Sequence, residues 1–210
     1  MTIPKTYVWL SADQKMDFSK KYLEEVKKNL DILNHEHIAK VLTVLEDAFL
    51  QGKKIFITGN GWSAATASHM ASDLQKTTLG KQPHTKNHIY KFKALSLSDN
   101  IPVMTAWGND EWFEHIFSQQ LAVLWEHGDV IVIITWSGNS KNLLKTLEKA
   151  KEMGITTIGF LWFDWGKAKD MLDHHILVES TNYWPIEDIH MIMDHLITWY
   201  FQQQVNKTFE

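Results

Sequence analysis

The amino-acid sequence predicts a doubly wound α/β fold, in which helices cover both faces of one parallel β-sheet. Short apolar segments with the pattern of buried strands alternate with helical segments from residue 54 onwards, which is typical of parallel sheets with right-handed crossovers. Two of these strands lead directly into turns of glycine, serine and asparagine, as expected of strand-to-helix connections. The 210 residues, 44% of them apolar, are sufficient for one core of this kind.

Two amphipathic helices are expected at the start of the chain. Apolar residues recur at three- and four-residue spacing in residues 19–33 and again in residues 34–50, and Asn34 is placed to cap the second helix. No low-complexity linker or strong repeat divides the chain. We therefore predict one domain over residues 1–210, with residues 1–50 as a helical extension and residues 51–210 as the α/β core.

The predicted core alternates five strands with helices. The strands are expected at residues 54–58, 94–98, 129–135, 156–161 and 175–178. The helices are expected at residues 63–76, at 111–126, from the turn at Ser140 to residue 153, in a short segment after the fourth strand, and at 185–203.

Composition excludes several functional classes. The formal net charge is -4, and the 21 basic and 25 acidic residues are spread along the chain, so nucleic acid is not an expected partner. The absence of cysteine excludes a disulfide framework and a zinc site with cysteine ligands. The start MTIPKTYVWLSADQK lacks the apolar stretch of a signal peptide. We expect a cytoplasmic protein that does not bind membranes.

The loops after the first and third strands are the predicted binding site, because open parallel sheets bind ligands beyond the carboxyl ends of their strands. Both loops consist mainly of small residues and precede a helix, so they offer main-chain N–H groups that suit a phosphate monoester. The hydroxyl donors in these segments are Ser63, Thr135, Ser137 and Ser140. The alternative is that the small residues only form tight turns and helix caps. Two such loops in one sheet favour phosphate binding.

Titratable side chains with suitable spacing for chemistry occur on two predicted helices. His69 and Asp73 lie four residues apart behind the first loop, so they project from one face of the helix. This is the spacing of metal ligands or of an acid–base pair, although such pairs also occur as plain helix-stabilising contacts. The last predicted helix carries a dense second set in WPIEDIHMIMDH: Glu187, Asp188, His190, Asp194 and His195.

The spacing within this second set leaves its geometry open. Glu187 and His195 are eight residues apart, which is about 12 Å of rise in a helix. A straight helix cannot present both to one ion unless Glu187 lies at a frayed start or reaches from another subunit. An alternative is that His190 and Asp194 are a four-apart pair on another face, and one of the two histidines is expected to be a structural residue.

Four motifs, in this order, resemble the sugar isomerase (SIS) domain family, and within it the phosphoheptose isomerases. They are GNGWSAATASHMASDL at 59–74, LSLSDNIPVMTAWGND at 95–110, GDVIVIITWSGNSKN at 128–142 and IEDIHMIMDH at 186–195. The resemblance implies a five-stranded parallel sheet and a homotetramer assembled through the two N-terminal helices, with active sites between subunits. It would allow His69 and Asp73 to come from a different chain than His195.

The same resemblance implies the site residues. The sugar-phosphate contacts of the family fall on Asn60, Gly61, Ser63, Asn109, Asp110, Thr135, Ser137 and Ser140. Its divalent-metal ligands fall on His69, Asp73, Glu187 and His195, where the heptose enzymes usually have Glu at the second position and Gln at the third. Both exchanges keep oxygen ligands, so Glu187 is expected at the substrate and at the metal. Two imidazoles and two carboxylates suit zinc.

The chemistry implied by the resemblance is aldose–ketose isomerisation through an enediol, with sedoheptulose 7-phosphate as the expected substrate. His195 is assigned as one acid–base group, and Asp73 as the other or as a metal ligand. A divalent metal would polarise the sugar carbonyl. The main alternative is a non-catalytic SIS protein that binds a replication initiator or regulates transcription, and a third is a sugar-phosphate lyase or etherase on the same fold.

Four tryptophans depart from the family pattern. Trp62 and Trp136 stand in the two binding loops where relatives have small residues, and Trp162 and Trp165 lie in the segment LWFDWG. We predict that Trp62 and Trp136 contact the substrate, and that the indoles narrow the sugar pocket or give it a stacking face. The alternative is that these rings pack under loops or at a subunit interface.

Overall fold

The structure, a computed structural model, describes residues 9–79, 91–162 and 166–208. The chain begins with the two predicted helices, α1 (Ala12–Asp31) and α2 (His35–Leu50). The Ser11 side chain caps α1 together with Gln14, and this cap starts the helix seven residues before its predicted start. The prediction for Asn34 is confirmed: its side-chain oxygen accepts hydrogen bonds from the N–H groups of Glu36 and His37.

The five predicted strands form one parallel sheet. They are β1 (Lys54–Gly59), β2 (Lys93–Ser96), β3 (Val130–Ile134), β4 (Thr156–Trp162) and β5 (His174–Val178), in the order β2-β1-β3-β4-β5. The order reverses direction between β1 and β3, and Gly59 at the end of β1 pairs with Ile134 at the end of β3. The loops that follow these two strands therefore lie side by side at the carboxyl edge, where doubly wound sheets bind ligands.

Five further helices in the described residues connect and cover the strands. They are α3 (Trp62–Lys76), α4 (Ile101–Asp110), α5 (Ser118–Leu124), α6 (Lys141–Glu152) and α7 (Tyr183–Thr208). Short 3₁₀ segments occupy Thr77–Leu79, Phe113–His115 and Gly166–Met171. The last of these takes the place of the short helix predicted after β4.

The predicted helix over residues 111–126 is wrong. Its segment holds only the 3₁₀ turn and the short α5, whereas α4 lies in the preceding residues. Asn100 starts α4 by accepting a hydrogen bond from the N–H of Val103, and Pro102 lies in the first turn, both of which are helix-start signals. Trp112 has a φ of 73° and so breaks the helical backbone before residue 113.

Buried apolar residues form two clusters, one on each face of the sheet. Successive strand residues point to opposite faces, so Ile55 and Ile57 of β1 belong to one cluster and Phe56 to the other. The first cluster includes residues of α2, α3 and α7, and the second includes residues of α5 and α6. This confirms the doubly wound prediction. In the part of the chain that the structure describes, no helix has both the length and the apolar character needed to cross a bilayer.

Candidate active site

A cavity of about 250 Å³ opens at the carboxyl edge of the sheet between β1 and β3. It contains every predicted substrate residue except Asn109 and Asp110. Its walls are Asn60, Gly61, Trp62, Ser63, Ile134, Thr135, Trp136, Ser137, Ser140, Leu143, Tyr183 and Glu187. The two predicted loops thus form one site, and the start of α7 closes it from a third side.

Two of the helices that begin at the cavity, α3 and α6, lack a side-chain hydrogen bond from the N-cap residue. Neither Gly61 before α3 nor Ser140 before α6 makes a capping side-chain hydrogen bond. The starts of α1, α2 and α4, which lie elsewhere, are capped by Ser11, Asn34 and Asn100. The N–H groups of Ser63, Ala64 and Leu143 donate to oxygens of their own turns, so the N–H groups before them and the positive ends of the two helix dipoles are what the cavity offers to an anion. Among the residues that the structure describes, no lysine or arginine lines the cavity.

Two glycines give the first loop its shape. A side-chain carbon on Gly59 would lie 2.6 Å from Cβ of Ser63 and 2.7 Å from its carbonyl oxygen, so only glycine lets α3 start this close to the sheet. Gly61 has a φ of 56°, which other residues rarely adopt. The loop can therefore turn tightly enough to aim the N-terminus of α3 at the cavity.

A pair of asparagines joins the two loops. The side-chain amides of Asn60 and Asn142 exchange two hydrogen bonds of 2.9 and 2.8 Å. Asn142 is buried, and its oxygen also accepts from the N–H of Leu143. Asn142 therefore fixes the position of Asn60 relative to α6. Sequence reasoning missed this residue; its only signal was an asparagine in the first turn after the second loop.

The second loop is organised by its own hydroxyl groups. The Thr135 hydroxyl oxygen accepts a hydrogen bond of 3.1 Å from the N–H of Gly138, and the Ser137 hydroxyl oxygen accepts one of 3.2 Å from the N–H of Asn139. The hydroxyls of Ser137 and Ser140 lie 3.5 Å apart. The loop thus wraps around two adjacent hydroxyls at the start of α6, which is a suitable arrangement for phosphate oxygens.

A second group of polar side chains lies further along α3 and α7. His69, Asp73, Asp194 and His195 each offer one ligand atom, and these atoms all lie within 4.8 Å of one another. The ring centroids of His69 and His195 are 5.2 Å apart. A single chain therefore brings His69, Asp73 and His195 together. The assignment of His69 and His195 to different subunits is not needed to explain how they meet.

Asp194 supports His69 from within the protein. Its carboxylate is fully buried and lies 2.8 Å from Nδ1 of the His69 ring. Burial raises the pKa of Asp194, and the contact with His69 partly opposes this rise. If Nδ1 of His69 carries the proton and donates it to Asp194, the lone pair on Nε2 is available to bind an ion. A carboxylate behind a metal-binding histidine usually has this arrangement.

The group of four differs from the predicted metal set at one position. Glu187 lies outside it and lines the cavity, whereas Asp194 lies within it. Helix geometry explains the difference, since α7 already begins at Tyr183 and Glu187 is not at a frayed end. About 12 Å of helix rise separates Glu187 from His195.

The predicted pairing of His190 with Asp194 does not occur. His190 is buried against β4, and its Nε2 lies 3.4 Å from the carbonyl oxygen of Leu161. Burial lowers the pKa of His190 to about 4. His190 is therefore the structural histidine of the two.

Comparison with known proteins identifies the family. Residues 18–161 match the family model described as SIS domain. The chain belongs to the SIS domain family. It is 34% identical over 163 residues to a phosphoheptose isomerase from Clostridium acetobutylicum, covering 77% of this chain and 79% of that one. It is 36% identical over 174 residues to one from Helicobacter pylori, covering 83% and 86%.

Solved structures show the same fold over nearly the whole SIS domain. A phosphoheptose isomerase from Francisella tularensis superposes with a TM-score of 0.81 at 25% identity, covering 93% of this chain and 100% of that one. One from Neisseria gonorrhoeae gives 0.79 at 26% identity, covering 91% and 98%.

Two of the tryptophans that depart from the family pattern, Trp62 and Trp136, line the cavity. The ring of Trp136 stacks on Trp162, with centroids 4.6 Å apart and planes inclined by 20°, and Tyr183 meets Trp136 edge-on at 5.6 Å. The indole N–H of Trp162 donates a hydrogen bond to the carbonyl oxygen of Ser180. Trp62 forms another part of the wall and is largely exposed. Trp165 lies outside the described residues.

Glu187 contributes a carboxylate to the cavity. It is half-buried, and burial raises its pKa while a hydrogen bond from Tyr183 opposes the rise. The same hydrogen bond raises the pKa of Tyr183 to about 12. The pair places one acceptor and one hydroxyl at the mouth of the cavity, where sugar hydroxyls would need partners.

Asn109 and Asp110 are the predicted contacts that the cavity does not include. They lie at the end of α4, are exposed, and are joined by a hydrogen bond of 2.7 Å from the amide of Asn109 to the carboxylate of Asp110. Their role as substrate contacts stays a prediction.

Proposed function

We propose that this SIS-domain protein is a phosphosugar isomerase that interconverts a ketose phosphate and an aldose phosphate, with sedoheptulose 7-phosphate and a heptose 7-phosphate as its pair. Relatives that carry the name phosphoheptose isomerase align with more than three quarters of the chain. The observation that carries the proposal is that α3 and α7 both begin at an anion-binding cavity and both lead to one cluster of acid–base side chains.

The phosphate is assigned to the uncapped starts of α3 and α6. Main-chain N–H groups there, with the hydroxyls of Ser63, Ser137 and Ser140, supply donors without a full positive charge. Charge-assisted hydrogen bonds of this kind are stronger than neutral ones. Asn60, Gly61 and Thr135 shape the loops around the anion. Because the described walls of the cavity contain no lysine or arginine, we expect the affinity for phosphate to depend mainly on how these donors are oriented.

The acid–base cluster is assigned to the carbonyl end of the sugar. Between Ser63 and His69, α3 rises by about 9 Å, and between Glu187 and His195, α7 rises by about 12 Å. The substrate would lie along both helices, with its phosphate at the cavity and its carbonyl at the cluster. A sugar with several carbons between these groups fits this separation better than a short one.

Proton transfer is assigned to His195 and Asp73. The imidazole of His195 is exposed and can accept a proton from the carbon next to the carbonyl or return one to its neighbour. Asp73 lies on α3 across from it and is the second acid–base group, unless it is engaged with a metal ion. His69 is held in one orientation by Asp194, which keeps the cluster in a fixed arrangement.

The donor set fits a divalent metal, and we propose zinc. An imidazole nitrogen from His69 and a carboxylate oxygen from Asp73 are common zinc ligands, and they lie within 4.8 Å of the His195 ring nitrogen that is left free as the acid–base group. Such an ion would polarise the carbonyl. The predicted role of Glu187 as a fourth ligand would require its copy in a neighbouring subunit, so we propose Glu187 as a substrate contact.

A homotetramer that covers the cluster is also proposed. His69 and His195 are exposed in the single chain, which leaves the chemistry open to water. Helix α1 exposes Met16, Phe18 and Leu23, and Phe18 lines a cleft of about 610 Å³ beside the start of α7. A second subunit on this face would exclude water from the site. The cytoplasmic location stays a prediction from composition.

A non-catalytic role is less well supported than catalysis. A protein that only senses sugar phosphate would need the cavity but not four converging titratable groups with a buried carboxylate behind one of them. The relatives described above are named as isomerases, and no described contact favours a macromolecular partner over a small substrate.

Conversion of a panel of ketose phosphates with five to seven carbons, followed by NMR detection of the aldose phosphate, tests the proposal. We expect the seven-carbon ketose to be converted most efficiently, with loss of activity on treatment with a chelator and recovery on addition of zinc. Binding of these sugars without conversion, at any metal loading, would contradict isomerase activity. Full activity after complete metal removal would contradict the metal assignment alone.

A further inference from the structure

The tryptophan in the second loop occupies an unusual place for a large aromatic ring. Trp136 lies between Thr135, which shapes the second loop, and Ser137, which is assigned to the phosphate. A sugar whose phosphate binds in this loop therefore has the indole of Trp136 beside it.

The indole of Trp136 is held rigidly and offers one free face. Its other face is covered by Trp162, which lies at the end of β4 and is itself fixed by the hydrogen bond to Ser180. The edge contact with Tyr183 restrains it from the side. Trp136 nevertheless keeps 42% of its surface exposed. Because Trp162 covers one face among the described residues, we infer that the exposed surface includes the opposite face.

A rigid indole face recognises a flat apolar surface. In a sugar, the C–H groups on one side of a closed ring form such a surface, whereas an open chain rotates freely and would lose more conformational entropy on binding. The Glu187 and Tyr183 oxygens near the same wall can bond hydroxyls at the ring edge. This combination of aromatic face and adjacent polar groups is that of a site for an amphipathic ring.

We propose that Trp136 is a specificity-determining residue that binds the closed-ring form of the sugar phosphate, so that isomerisation in this protein is preceded by opening of a ring already bound on the indole. Ring opening breaks the bond between the ring oxygen and the anomeric carbon, moves the anomeric hydroxyl proton to the ring oxygen, and regenerates the carbonyl. The proposal deepens the proposed function, since it rests on a sugar phosphate as the ligand.

The test compares affinities by calorimetry and needs no turnover. The ligands are inorganic phosphate, a ring-locked methyl glycoside of sedoheptulose 7-phosphate, and the open-chain heptitol 7-phosphate. The wild-type protein should bind the ring-locked ligand about tenfold or more tightly than the open-chain ligand. Trp136→Thr should remove this preference and leave phosphate affinity unchanged, whereas Trp136→Phe should keep part of it.

One control variant separates the possible causes. Trp199→Thr removes an exposed indole of α7 that does not line the cavity, and it should leave all three affinities unchanged. Equal binding of ring-locked and open-chain ligands by wild type, or an unchanged preference in Trp136→Thr, would overturn the proposal. A changed oligomeric state of Trp136→Thr with unchanged affinities would also overturn it, and would assign the indole to an interface. Failure of the proposed function is distinct, since it would appear as binding of sugar phosphates without conversion to the aldose phosphate, whereas no binding of any sugar phosphate would contradict both proposals.

Discussion

The cavity and the cluster share helices α3 and α7 but are built from different kinds of residues. The cavity uses helix ends, small loop residues and aromatic rings, and contains one carboxylate. The cluster consists of four titratable side chains from α3 and α7, one of them fully buried. Loop side chains at the cavity can change without moving the helices, whereas every cluster residue depends on how α3 packs on α7. Substrate choice can therefore vary in this fold while the chemistry stays fixed.

This contrast separates the expected effects of substitutions. Changes in the cluster should reduce kcat, because they remove or misplace acid–base groups. Changes at the cavity should raise KM, because they remove contacts to a part of the substrate that does not react. A cluster variant that changed only KM, or a cavity variant that changed only kcat, would contradict this division of roles.

The largest effect is expected for His195→Asn. The substitution removes the proposed acid–base group from an exposed position, so the fold should be unaffected. We expect kcat to fall by about 10²- to 10⁴-fold, with a small change in KM, in a steady-state assay of aldose formation. His127→Asn is the matched control, since His127 is exposed and precedes β3 at the opposite edge of the sheet. A His195→Asn enzyme of normal kcat would refute the assignment.

A pH effect on stability is expected from His190, which lies on α7 between Glu187 and His195. Because its pKa is lowered to about 4 in the folded protein, the unfolded chain binds the proton first as pH falls below 6.5. The contribution of neutral His190 to the free energy of unfolding should therefore be complete above pH 6.5. It should decrease towards pH 4 by up to about 3 kcal/mol.

Urea unfolding of wild type and His190→Gln at pH 7 and pH 5 measures this contribution. Glutamine can still donate to the Leu161 carbonyl but does not titrate. Between pH 7 and pH 5, the free energy of unfolding should fall by about 2 kcal/mol more in the wild type than in the variant. Equal losses in both proteins would show that His190 is not buried in its neutral form.

Asp194→Asn should have an intermediate effect. The amide can donate to Nδ1 of His69 and so favour the wrong tautomer, which should lower metal affinity and kcat by about 10- to 100-fold. Metal titration and kinetics on the same preparations check this. Thr198→Val is the control, since it removes only a 3.4 Å contact to the same carboxylate. Normal metal affinity in Asp194→Asn would mean that His69 is oriented by other groups.

The smallest effect is expected for Ser137→Ala at the cavity. Loss of one hydroxyl donor to a charged phosphate should raise KM by about tenfold, with kcat nearly unchanged. Competition by inorganic phosphate should weaken in parallel. Ser19→Ala on α1, whose hydroxyl bonds only the Met16 carbonyl, should change neither value. A fall in kcat with normal KM would place Ser137 at the reacting carbons and not at the phosphate.

Local patterns were sufficient to predict the parts of the fold that depend on neighbouring residues. The five strands, the cap at Asn34 and the two loops all follow from short segments. The error over residues 111–126 has a local cause as well: the helix-start signal of Asn100 and Pro102 was present, but no helix was assigned to it.

Long-range contacts account for what the sequence did not predict. The spacing of His69 and Asp73 indicated a site, but the part played by Asp194 depends on α3 packing against α7. In the same way, Asn142 gains its role only because it meets Asn60, 82 positions earlier in the chain. The eight-residue spacing in the sequence already indicated that Glu187 and His195 lie far apart on one helix. The structure shows that Glu187 lines the cavity instead.

Solvent exchange tests the central claim most directly. Sedoheptulose 7-phosphate is incubated with the zinc-loaded protein in heavy water and followed by NMR. Isomerisation through an enediol predicts deuterium at the carbon next to the carbonyl in the recovered ketose, at a rate that depends on wild-type protein and is lost in His195→Asn. Tight binding of the sugar with no exchange at that carbon would contradict isomerase activity.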